Sequence, residues 1–66
     1  MFPERYIIEV NDEAVGLVIG DPERQGLVFH AIHPRLGSIQ GQRFPTPHRA
    51  TRTATSIMGT RHRSGR

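Results

Sequence analysis

Sixty-six residues with 35% hydrophobic side chains fit one small domain, close to the lower limit at which a chain buries enough surface to fold alone. The chain has no cysteine, which excludes disulfides and thiolate metal sites and leaves a second chain as the simplest source of extra buried surface. Residues 1–23 hold all six acids and one Arg, a net charge of −5, while residues 24–66 hold eight Arg and no acid, a net charge of +8.

All nine bases are Arg, a usage that fits either the codon bias of a GC-rich genome or a guanidinium surface for phosphate and carboxylate. Residues 1–5 lack the apolar centre of a secretory leader, and the longest apolar run, residues 14–19, is far too short for a membrane span. A cytoplasmic protein is expected, with no membrane partner, and the sequence identifies no small-molecule substrate.

Apolar alternation predicts a first strand over residues 5–10, with Tyr6, Ile8 and Val10 on one side and Arg5, Ile7 and Glu9 on the other. Asn11, Asp12 and Glu13 turn the chain into a second strand, where Val15, Leu17 and Ile19 oppose Ala14, Gly16, Val18 and Gly20. Residues 20–26 form the clearest local signal: Pro22 presets φ for a turn, Asp21 accepts from the backbone two residues on, and Gly26 supplies positive φ. A third strand sets Leu27, Phe29 and Ala31 against Val28, His30 and Ile32, and Pro34 stops it. The second sheet face is expected to carry Ile7, Val18, Val28 and Ile32, apolar enough to need a contact.

Residues 34–45 read as a long loop with room for a short fourth strand around residues 38–44. A helix then begins at Thr46 as N-cap with Pro47 in the first turn. Ala50, Ala54, Ile57 and Met58 make a narrow stripe that docks on the sheet, opposite His48, Arg49, Thr51, Arg52 and Thr55, and Gly59 ends the helix. The expected fold is therefore α+β: a three-stranded antiparallel β-meander, extended to four strands if the short one forms, packed by one C-terminal helix in the order β-β-β-(β)-α. Residues 1–59 make one domain, and residues 60–66 are a disordered basic tail.

The run from His33 to Ala50, following an apolar hairpin, resembles very short uncharacterised bacterial proteins in which a three-stranded meander precedes an Asp-Pro turn, a Gly-x-x-Phe step and a Ser/Thr-Pro helix start. The resemblance covers residues 6–58 and implies the fold alone; it brings no activity. This chain carries His33 where that pattern has Asp.

No catalytic or metal residue is expected, and no cofactor. His30 and His33 point to opposite faces of a regular strand and cannot share one metal, while His48 and His62 lie at a helix start and in the tail. Ser38, Ser56 and Ser64 share their half of the chain with no acid, and residues 37–41 lack the spacing of a phosphate loop.

The leading expectation is a small non-catalytic homodimer acting as an interaction or accessory protein. The −5 half of one copy would meet the +8 half of another, and the long connector would allow a domain-swapped helix. The contact is expected at Phe29, Phe44, Ala50, Ala54 and Ile57. The alternative is a small nucleic-acid-binding protein, or one that grips an acidic protein, using Arg43, Arg49, Arg52, Arg61, Arg63 and Arg66.

Overall fold

A computed structural model describes residues 4–59. The expected tail therefore lies outside the described residues. Four antiparallel strands follow in chain order, β1 (Arg5–Val10), β2 (Glu13–Gly20), β3 (Leu27–Ala31) and β4 (Arg43–Phe44), and each pairs with the next. Helix α1 (Pro47–Met58) lies across one face of this sheet, mainly against β1.

Local chemistry closes each turn. Asn11 and Asp12 both take left-handed φ, 55° and 66°, so β1 and β2 meet in a two-residue hairpin whose twist matches the strands. Between β2 and β3, the Asp21 carboxylate accepts from the Glu23 N–H at 2.9 Å, and Gly26 takes φ 100°. At the helix start the Thr46 hydroxyl accepts from the Arg49 N–H at 3.1 Å and Pro47 opens the first turn. Gly59, at φ 79°, closes the helix by donating to the Thr55 carbonyl at 2.9 Å.

The second strand departs from its expected parity. Ile8 pairs with Gly16 but Glu9 pairs with Ala14, so Val15 is an extra residue, a β-bulge. Val15 and Gly16 are both buried, and beyond the bulge Val18 points into the core while Leu17 and Ile19 point out. Phe29 is the cause. Its ring is fully buried and lies so close over Gly16 that a β-carbon there would sit 2.3 Å from Cζ. The largest fully buried side chain therefore packs on the strand face that carries glycine.

The core comprises Ile8, Val10, Val15, Val18, Leu27, Phe29, Leu36, Ile39, Phe44, Ala50 and Ala54, with Ala31, Ile57 and Met58 packed against it. Phe29 and Phe44 meet edge to face, 6.1 Å between ring centroids and 71° between planes. The two alanines of α1 let the helix backbone approach the sheet closely.

Residues 34–45 are no loose loop. Residues Pro34–Ile39 wind into a 3₁₀ helix that buries Leu36 and Ile39 at one-turn spacing, and the fourth strand shrinks to Arg43–Phe44. His33 caps this turn: its Nδ1 accepts from the Arg35 N–H at 3.1 Å, the acceptor role an Asp would fill. The segment is also tied to β3, since Gln40 Oε1 accepts from the Ala31 N–H at 2.8 Å and the Gly41 N–H donates to the Phe29 carbonyl at 2.8 Å.

Candidate interaction surfaces

Two surfaces emerge once the core is assigned. The first is the sheet face turned away from α1. Cross-strand register sets two rows of side chains there, Arg5–Ile19–Val28–Arg43 and Ile7–Leu17–His30, with Glu9 and Ala14 beyond the second row. Ile7 is 59% exposed, and Leu17, Ile19 and Val28 are half-buried. Four branched aliphatic side chains thus stand side by side on a face that no element of the described residues covers. The expected membership of this face is corrected at two places: Val18 is fully buried in the core, and Ile32 lies one residue past β3.

The second surface is on α1, where Arg49, Arg52, Thr53, Ser56 and Ile57 line a shallow open groove. Among the described residues neither Arg49 nor Arg52 has an acidic partner. Thr51 turns inward to donate its hydroxyl proton to the Pro47 carbonyl at 3.0 Å.

The expected Arg strip is only partly assembled. Arg43 is taken by the turn between β2 and β3, with its guanidinium 2.7 Å from Asp21 Oδ2 and a longer bond, 3.5 Å, to the Gln25 carbonyl. The hydrogen bond from Arg43 holds the Asp21 carboxyl below its ordinary value, helped by the Glu23 N–H, so this clip is made throughout the neutral range. Arg35, absent from the expected set, donates to the Ile57 carbonyl at 3.3 Å and complements the negative end of the helix dipole. Arg61, Arg63 and Arg66 lie outside the described residues.

The five residues expected at a dimer contact are placed inside the chain's own core. Phe29, Phe44, Ala50 and Ala54 are buried and Ile57 is half-buried in the core that α1 and the sheet share, the same contact that a swapped helix would make between two copies. Sequence alternation pointed instead away from Leu17 and Ile19, which do stand on the open face. A glycine diagonal to an aromatic on the neighbouring strand was the available signal.

Among the described residues no three of His, Asp and Glu gather where they could hold a metal. His30 stands on the open face, His33 is engaged as a cap, and no helix is long and apolar enough to cross a membrane. No family model matches the chain, and neither a curated protein nor a solved structure matches it.

Proposed function

We propose that this chain is a small non-catalytic interaction module of the cytoplasm that works as a homodimer. One observation carries the reading: Ile7, Leu17, Ile19 and Val28 form a contiguous aliphatic patch on a sheet face that no other described residues cover, in a chain with a small core. An antiparallel sheet leaves a polar face to water, whereas this one carries four aliphatic side chains at its centre with charges only at its edges. The dimer is one of closed chains. The open face lies away from α1, so this contact requires no exchange of the helix.

Solution mass of the full chain tests the reading by light scattering over a hundredfold concentration range. The expected mass rises to that of two chains, and Leu17→Glu, which places a charge in the middle of the patch, returns it to one chain with an unchanged circular dichroism spectrum. A single-chain mass for the unmodified protein at every concentration contradicts the proposal.

A second reading, binding of nucleic acid, is favoured by the Arg49 and Arg52 groove. It requires binding at low salt that falls steeply as salt rises. Loss of that binding in the Arg49→Ala, Arg52→Ala double variant would assign it to α1.

A further inference from the structure

The open face is not uniformly apolar, and its charges are arranged unequally about its centre. Arg5 and Glu9 lie on the same side of β1, two positions either way from Ile7, and both are exposed. Arg43 extends the Arg5 row at the far edge of the sheet, through Ile19 and Val28. Arg43 is paired with Asp21, so the free charges of the face are Arg5 at one end of β1 and Glu9 at the other.

We infer that two copies pack open face to open face about a two-fold axis that runs across the strands through the Ile7–Leu17–His30 row, so that Arg5 of each copy lies over Glu9 of the other. The inference rests on the homodimer reading and adds its orientation. Any face-to-face pair of identical sheets must have its two-fold axis in the plane between them, since only such a rotation turns one face onto the other. An axis along the strands keeps each end over itself, lays Arg5 of one copy over the Arg43–Asp21 pair of the second, and forgoes both Arg5–Glu9 pairs, so each Glu9 meets no opposing base.

An axis across the strands exchanges the two ends. It lays β1 antiparallel over β1, Ile7 over Ile7, and pairs Arg5 with Glu9 on both sides of the centre. Four residues separate that Arg from that Glu, about 13 Å along the strand, so both ion pairs form at the rim while Ile7 and Leu17 meet their counterparts at the centre and Ile19 of each copy lies over Ala14 of the other. The same arrangement leaves α1 on the outside of each copy. The resulting assembly is a four-layer sandwich, helix, sheet, sheet, helix, in which both faces of each sheet are covered.

Charge reversal tests the orientation, read as dimer dissociation constants from sedimentation or light scattering at low salt. Arg5→Glu and Glu9→Arg each place two like-charged pairs at the rim and are expected to weaken association about tenfold, while the double variant Arg5→Glu, Glu9→Arg recovers to within about threefold of the unmodified chain. Both positions are exposed, so the fold survives these changes. A dimer that is indifferent to both single reversals, or that the double variant fails to restore, overturns the orientation while leaving the homodimer reading intact.

Pairing of β1 edges between copies would also bring Arg5 beside Glu9, and Val28→Glu separates that case. Val28 lies two strands in from the β1 edge. Its replacement dissociates a face-to-face dimer, and a dimer that withstands it overturns the inference. A single-chain mass for the unmodified protein ends both readings together.

Discussion

Replacing Gly16 by Ala is expected to destabilise the fold by about 3 kcal/mol, an overpacking effect at the upper end of those seen in small cores. The new methyl would sit 2.3 Å from Phe29 Cζ, 2.8 Å from Cε1 and 3.1 Å from the His30 carbonyl oxygen. The ring has nowhere to go. It is fully buried, it leans edge to face on Phe44, and the His30 carbonyl belongs to the neighbouring strand rather than to a flexible side chain. In a domain of this size such a loss lowers the melting temperature by roughly 15 °C, at fixed protein concentration.

Shortening the ring isolates the cause. Phe29→Leu alone leaves a cavity and is destabilising, but combined with Gly16→Ala it makes room for the added methyl, so the double variant is expected to be more stable than the sum of the two singles by at least about 1 kcal/mol. Thermal or denaturant unfolding of the four proteins checks this. Additive losses, or a Gly16→Ala chain that melts with the unmodified one, would show that the ring does not rest on Gly16.

Leu36→Ala is expected to cost about 3 kcal/mol, within the usual range for truncating a buried leucine. Leu36 is fully buried although it sits in the segment between β3 and β4, and with Ile39 it fastens the 3₁₀ turn to the core under α1. Were residues 34–39 a solvated loop, the same change would fall within about 0.5 kcal/mol of neutral. Ser38→Ala, at an exposed neighbour, is the comparison and should unfold with the unmodified chain. Equal stability of the two variants in denaturant would detach the turn from the core.

What could be read from the sequence was local. The turn at Asp21-Pro22 with its glycine at position 26, the Thr46-Pro47 helix start and the Gly59 stop all depend on residues a few positions apart, and each adopts the expected geometry. The α1 stripe followed for the same reason. The parity of β2 did not, because alternation favours Val15, Leu17 and Ile19 as the inner set until a residue from another strand intervenes. Phe29 needs a neighbour without a side chain, Gly16 is that neighbour, and the bulge at Val15 reconciles the two demands. Leu36 and Ile39 were likewise hidden, since two apolar residues one 3₁₀ turn apart look the same in a loop until the core that receives them is known.

The candidate surface inherits this limit. Ile7 and Val28 were legible as members of a second apolar face, whereas Leu17 and Ile19 were assigned to the core and Val18 to the surface. Phe29, Phe44, Ala50, Ala54 and Ile57 are expected at a partner contact only through a swapped helix, and in the closed chain they belong to its own core and its margin. The residues left over on the other face, less conspicuous in the sequence, are the ones that remain for a second copy.

The most direct test is an isotope-filtered NOE experiment on an equal mixture of ¹³C-labelled and unlabelled chain, which reports only contacts between copies. The account predicts intermolecular cross-peaks among the methyl groups of Ile7, Leu17, Ile19 and Val28, with Ile7 seeing its own counterpart. Cross-peaks confined to α1, or a mixture with none at a concentration where the mass is that of two chains, would contradict it.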